Sequence, residues 1–492
     1  MNTFDVHHSH PQSATNSYDT DAPPNLISFM LKSWKPAGAK KTQPLKDVKT
    51  FLQRRKTVAL QFKGQALFFS AGHLKVRSND TYYAFRPCSD FFYLTGNREP
   101  DCVLALFNDG KKHQEVLFVE PNPGKTDQTF FTDRIKGELW EGARLGVPES
   151  RDLYSIEDCR PLSELESFVK AAIGATRQGV RMRRGASEAL ESMLGWGLED
   201  SLEQKRKDQE LAVFMSEMRL IKDKTEIAEL SKVIHATKRG FEDVVRRLKH
   251  ASSERELEGV FYTRARMEGN DVGYGSIVAS GAHGCTLHWK RNDGKLKARD
   301  LLLLDAGIEG NSFYTADITR TFPIGGKFSR EQREIYELVH AAQAAAFKEV
   351  KPGRDFMAPN RAAMRVLAEG LERLGILQCS AKEALEEQNQ FYRRYSLHNV
   401  SHMLGLDVHD CAQARKESYK LGQLRPGMVL TVEPGLYFQV DDLTVPARYR
   451  GIGIRIEDDV VVTQKGMRNL SAGIPSQPEA VEKWMKSLWK RG

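Results

Sequence analysis

The stretch LLLLDAGIEGNSFYTADITRTF, residues 301–322, decides the fold. An apolar run of strand length ends on Asp305, and a second strand-like run returns behind Asp317. Two later segments repeat the arrangement: MVLTVEPG (428–435) carries Glu433, and GIGIRIEDDVVV (451–462) carries Glu457. Alternation assigns the directions. In GIGIRIE, Ile452, Ile454 and Ile456 take one face, while Arg455 and Glu457 take the other. Val429, Thr431 and Glu433 share a face in the same way.

Carboxylates among apolar strand residues are costly unless something pairs with them. One bland reading makes them four separate strand-end acids at the surface; another pairs them with Arg320 and Arg455. Flanks of Leu, Ile and Val suit the first poorly. Gathering four acids at one point calls for a multivalent cation to offset their repulsion. The segment HNVSHMLGLDVHD (398–410) adds His398, His402 and His409. Carboxylate oxygen with an imidazole suits Mn²⁺ first, with Co²⁺, Zn²⁺ or Fe²⁺ open. Four acids exceed the needs of one ion, so two metal ions sharing bridging carboxylates are the natural arrangement.

Around this core the periodicity is helical. Ile227, Leu230, Val233, Ile234, Phe241, Val244, Val245 and Leu248 share one helix face, and Ser329 with Gln332 forms a capping box before Ile335. Helices and strands interleave from about 211 to 475, the expected catalytic domain, with 476–492 as a C-terminal extension. Residues 46–205 read as a separate α/β domain, with strands expected at ALFF (66–69), DFFYLTG (90–96), CVLALF (102–107) and EVLFVE (115–120). The charged run EQKRKDQE (203–210) is expected as a linker. Residues 1–45, with His7, His8 and His10, are expected as a flexible polar tail.

Composition excludes several classes. With 492 residues, 40% apolar and 28% charged, the chain has the make-up of a globular protein of two or three domains. Apolar runs such as Cys102–Phe107 are too short to cross a bilayer, and the N-terminus lacks the pattern of a signal peptide. Six cysteines without a CxxC pair read as reduced thiols, which implies the cytoplasm. The net charge of +8 is local: residues 31–64 hold ten Lys and Arg against Asp47, or +9, leaving −1 for the rest. The segment reads either as a solvated, partly helical lead-in or as an arm for nucleic acid, and the absence of a recognition motif favours the lead-in. GKT at 124–126 lacks the upstream glycine of a phosphate loop, and no GxSxG or HExxH occurs.

The ordered motifs SDFFYLTG, GYGSIVASGAHGCTLHW, LLLLDAG, DITRTFP, HNVSHMLGLDVHD, TVEPGLY and GIGIRIEDDVVVT resemble those of the Xaa-Pro aminopeptidases (aminopeptidase P) of the pita-bread metallopeptidase superfamily, over roughly residues 50 to 470. The resemblance implies an α/β N-terminal domain followed by an α+β pita-bread (creatinase/aminopeptidase-like) catalytic domain. It implies a metal-dependent exopeptidase that removes the residue before a penultimate proline by attack of a metal-bridging hydroxide, acting as a homodimer or homotetramer; the short apolar runs and the missing recognition motif separately leave no membrane or nucleic-acid partner expected. It places two divalent ions on Asp305, Asp317, His402, Glu433 and Glu457, with Asp317 and Glu457 bridging. His288, His398, His409, Tyr437 and Arg455 become the catalytic or substrate-binding side chains, with Glu433 passing the proton. Two departures stand out. Asp305 and Asp317 lie twelve apart, one more than in many relatives, and Phe92 stands where some relatives carry Trp. Prolidase, with the same centre, and a catalytically inactive pita-bread binding module are the alternatives.

Overall fold

The computed structural model describes residues 22–35, 42–176, 178–195 and 201–491. The chain forms two units, Met1–Phe214 and Met215–Gly492. Most of the expected tail, including its histidines, lies outside the described residues. Within it, Pro24–Met30 forms helix α1, with proline at its first position where a missing N–H costs nothing.

In the first unit, helix α2 (Val48–Gln61) carries part of the basic segment. Two of those bases are structural: Arg54 lies over the Tyr93 ring, and Arg55 is fully buried and donates to Glu115 at 2.7 Å and to the Leu94 carbonyl. Strands β1 (Ala66–Ser70), β2 (Val103–Asn108), β3 (His113–Val119), β4 (Asp158–Pro161) and β5 (Val180–Met182) form a sheet in the order β4-β3-β2-β1-β5. The first three are antiparallel, while β5 joins β1 and β4 joins β3 in parallel. One face, with Phe68, Ala105, Val116 and Phe118, packs on Leu165 and Val169 of helix α4 (Leu165–Ala175).

Two expectations fail here for identifiable reasons. DFFYLTG forms helix α3 (Ser89–Thr95), not a strand. Asp90 through Thr95 are all buried, so no periodicity separates strand from helix, and Gly96 ends the helix at φ 69°. The expected linker EQKRKDQE lies inside helix α5 (Leu202–Arg219). Glu, Gln, Lys and Arg are good helix formers, and Gln204 and Asp208 are buried against the Val180 carbonyl and Arg184.

The second unit opens with helix α6 (Lys224–Leu248), whose N-cap Asp223 accepts from Thr225 and Glu226 while Glu226 reaches back to the Asp223 N–H. Helix α7 (Glu254–Glu268) packs beside it. Strands β6 (Ile277–Ser280), β7 (Leu301–Ala306) and β8 (Ile318–Pro323) form one antiparallel sheet with β7 central. Helices α8 (Arg330–Glu349), capped by Ser329 and Gln332 as expected, and α9 (Ala358–Arg373) follow as a packed pair. A second sheet contains β9 (Val429–Val432) paired with β12 (Asp458–Val462), and β10 (Gly435–Tyr437) pairs with β11 (Gly453–Arg455). GIGIRIEDDVVV is therefore two strands, broken at Ile456 and Glu457. Residues 478–491 form the final helix α10 (Pro478–Arg491), whose Val481, Met485 and Leu488 join the core of this unit. The second unit is thus α+β, as expected for a pita-bread domain, and follows an α/β unit in the chain.

Candidate metal centre

The β7–β8 hairpin sets the first two acids. Asp305 faces Thr319 across the ladder, and Asp317 immediately precedes β8. Between them the chain crosses itself at Gly307, where any Cβ would meet the Ala316 carbonyl oxygen at 1.6 Å. Between Asp305 and Asp317 the chain turns at 310–314, where Phe313 takes φ 59°. Asp305 and Asp317 are both buried.

The strand break at Ile456 and Glu457 frees Glu457 to point at this hairpin. Its Oε2 accepts from the Thr319 hydroxyl at 2.6 Å, and its N–H donates to the Thr319 carbonyl at 3.0 Å. The segment with the histidines runs along β9: Thr431 N–H donates to the His402 carbonyl, and Glu433 N–H to that of Val400. His402 therefore meets Glu433 at 3.5 Å and Asp317 at 3.3 Å through Nε2, while Nδ1 lies 3.1 Å from the Met403 carbonyl. One ligand atom each from Asp317, His402 and Glu457 lies within 4.8 Å of the others.

The electrostatics are those of an acid cluster short of positive charge. Burial, then the charges of Asp317, Glu433 and Asp305, push Glu457 well above the carboxylate range. Burial pushes Glu433 up to about 7, against the pull of His402. Burial also lifts Asp305, although Arg455 works the other way. Burial alone would lower His402, but its hydrogen bond to Asp317 and the nearby charges hold it at about 9. Such a donor set fits divalent cations: they would replace mutual repulsion by shared attraction. Arg320 supports the cluster from the backbone side: it pairs with Asp458 at 2.8 Å and donates to the Glu457 carbonyl at 2.6 Å and the Thr319 carbonyl at 2.9 Å.

A second chain of contacts runs outward. Arg455, buried, donates to Asp305, to the Tyr437 hydroxyl at 2.8 Å and to Thr319. Because Tyr437 accepts from Arg455, its own proton points to His398 Nε2, 2.8 Å away, and His398 Nδ1 lies 2.9 Å from the Asn399 carbonyl. Burial and Arg455 bring His398 down to about 4, so it stands neutral. His409 stacks edge-on against His402 at 4.4 Å and is exposed, as is His288. The ten residues expected at the site thus divide into a buried acid cluster with Arg455 and Tyr437, and histidines toward solvent.

The sequence did not disclose Tyr274 or Thr319. The Tyr274 hydroxyl lies 2.7 Å from Asp305 and 2.5 Å from Asp317. One hydroxyl carries one proton, so it donates to a single carboxylate, and the second contact is unfavourable unless that acid is protonated. The tyrosine sat inside the quoted motif GYGSIVASG, yet nothing in its side chain signals a metal site.

Comparison with known proteins matches residues 228–464 to metallopeptidase family M24 and residues 51–180 to the aminopeptidase P N-terminal domain. The chain is 48% identical to Xaa-Pro aminopeptidase 1 of Streptomyces coelicolor, over 94% of this chain and 92% of that protein. It is 33% identical to the Escherichia coli Xaa-Pro aminopeptidase, over 90% and 98%. Among solved structures, Escherichia coli aminopeptidase P with the inhibitor Pro-Leu superposes with a TM-score of 0.80 at 33% identity, covering 91% of this chain and 100% of that one. Proline aminopeptidase P II from Yersinia pestis gives 0.80 at 32%, covering 89% and 99%.

Proposed function

The chain belongs to the Xaa-Pro aminopeptidases of metallopeptidase family M24, and on that premise we propose that Asp305, Asp317, His402, Glu433 and Glu457 hold two divalent metal ions, Mn²⁺ first, for release of the residue before a penultimate proline. The observation carrying this assignment is the convergence of Asp317, His402 and Glu457 within 4.8 Å, with Asp305 and Glu433 beside them. When bound, the metal pair supplies Lewis acidity and makes water a nucleophile near neutral pH.

The side chains supply the rest. Glu433, beside His402 and the proposed metal pair, takes the proton of the attacking water and passes it on. Asp305, fixed by Arg455, receives the free amino group of the substrate, which accounts for exopeptidase action. Exposed His409 and His288 face the scissile carbonyl and the proline. Neutral His398, oriented by Tyr437, lines the proline side. Arg455 itself is spoken for by Asp305, Tyr437 and Thr319, so its role is to hold the others in place.

We place the enzyme in the cytoplasm, in line with its six free cysteines, as a homodimer or homotetramer. Residues 46–205 make up its N-terminal domain and 211–475 its catalytic domain, and no helix among the described residues is long and apolar enough to cross a membrane. The test is an assay of metal-stripped protein with and without Mn²⁺ on Xaa-Pro-Xaa tripeptides and Xaa-Pro dipeptides. Metal-dependent release of the first residue from the tripeptide is expected; cleavage of the dipeptide alone would make it a prolidase, and full activity without metal would remove the metal assignment.

A further inference from the structure

His288 lies on a loop, 281–294, that has little regular structure beyond a turn at its start. One carboxylate from outside the loop ties it down. Glu254 is the first residue of α7, and its side chain is fully buried. Its Oε1 accepts from Ser280 N–H at 2.7 Å, from the Ser280 hydroxyl at 2.9 Å and from His283 Nδ1 at 2.8 Å. Its Oε2 accepts from Trp289 Nε1 at 2.8 Å and from Gly294 N–H at 2.7 Å. Five donors saturate a carboxylate, which offers about four lone-pair positions. They come from before, within and at the end of the loop, so the carboxylate fixes its span at several points.

Other contacts make this fixation specific to His288. The rings of His283 and Trp289 stack with centroids 3.9 Å apart. Leu287 and Trp289, the neighbours of His288 on either side, pack on Ile277, Cys285, Leu303 and Tyr437. The exposed imidazole thus projects between two anchored residues, one of which hangs on Glu254. The surface placement of an acid at a helix start would explain none of this: Glu254 is out of contact with water, and its partners belong to the loop.

We infer that Glu254 is a positioning residue for His288, setting through Trp289 and His283 the place from which His288 meets substrate. The inference rests on the substrate-side role given to His288 above. Glu254→Gln is nearly isosteric but not conservative. Whichever way the amide turns, its NH₂ faces N–H donors, either Trp289 and Gly294 or Ser280. Trp289→Phe keeps an aromatic ring for stacking, although a smaller one, and deletes the Nε1–H donor.

The experiment is a double-mutant cycle in the full-length, Mn²⁺-loaded protein. It measures kcat/KM on an Xaa-Pro-Xaa tripeptide together with metal content for E254Q, W289F, H288A and the two pairs with H288A. We expect E254Q to lower kcat/KM about 10- to 100-fold, with metal content unchanged. In the H288A background the same substitution should cost less than about twofold, because its effect passes through a side chain already removed. W289F runs the same cycle more gently and replaces E254Q where that variant does not fold. Equal fold-losses from E254Q or W289F in both backgrounds would overturn the inference, as would unchanged kcat/KM in both single variants. Unchanged kcat/KM in H288A alone would remove the role of His288 itself, and with it the inference, a result distinguishable from the others.

Discussion

Lys222→Met tests the reasoning on a buried pair that anchors the end of the histidine segment 398–410. The Lys222 ammonium is fully buried and donates to Asp410 at 2.9 Å and to the Arg219 carbonyl at 2.7 Å. Asp410, also buried, keeps a second partner in Arg219 at 3.1 Å. Removing one member of a buried pair costs about 3–5 kcal/mol, because the remaining charge stays desolvated. The surviving Arg219 contact sets the expectation at the low end, about 3 kcal/mol. The pH dependence has a definite sign. Arg219 and Lys222 overcome burial and hold Asp410 below its ordinary value, so its contribution is present above roughly pH 4 and lost as pH falls through its folded pKa. Asp410 and its neighbours hold Lys222 above its ordinary value, so its contribution is complete below roughly pH 10 and lost only at higher pH. The gap between parent and variant should therefore be flat from about pH 5 to 9 and shrink in acid. Urea unfolding followed by tryptophan fluorescence measures it, and Asp410→Asn in the Lys222→Met background should recover at least about 1 kcal/mol by removing the stranded charge. A loss below about 1 kcal/mol in Lys222→Met, or a double variant as unstable as the sum of the singles, would refute the argument.

Two further outcomes follow from the same physics. Glu457→Gln should raise the melting temperature of the metal-stripped protein at alkaline pH, where burial and the charge of Asp317 make the ionised acid costly, and change it little in acid, where Glu457 is itself neutral, while Mn²⁺ should stabilise the parent and not the variant; calorimetry across pH with and without metal reads both signs. Arg394→Ala should destabilise by at most about 1 kcal/mol at neutral pH, since that guanidinium is 59% exposed. Arg394 and the Thr444 contacts outweigh burial and hold Asp442 at about 2, so the difference should vanish as pH falls from roughly 4 to 2 in acid titrations of stability.

The acids of the centre were legible because a carboxylate among Leu, Ile and Val is anomalous on its face. Asp305, Asp317, Glu433 and Glu457 each announce themselves this way. Glu254, Tyr274 and Lys222 do not. An acid at a helix start and a lysine before a helix are ordinary surface residues until the fold buries them, and Tyr274 stands 31 positions before Asp305 with no spacing that links the two. Gly405 is silent for the same reason: a Cβ there would meet Asp410 at 2.1 Å, a contact visible only in three dimensions. The two misread segments share a cause. DFFYLTG is buried on every side and EQKRKDQE is polar on every side, and periodicity speaks only for faces that differ.

The hydrogen bonds that aim the acids join distant parts of the chain: Thr319 to Glu457 spans 138 residues, and Arg455 to Asp305 spans 150. During synthesis the β7–β8 hairpin emerges long before the strands that complete its site. Until those strands dock, Asp305 and Asp317 sit in a half-built pocket without Glu433 or Glu457. Contacts of such sequence separation form late, since the loop between them must close first. On the proposed assignment, the donor set is complete only once nearly the whole catalytic unit has left the ribosome, and a product truncated before about residue 450 would lack both Arg455 and Glu457.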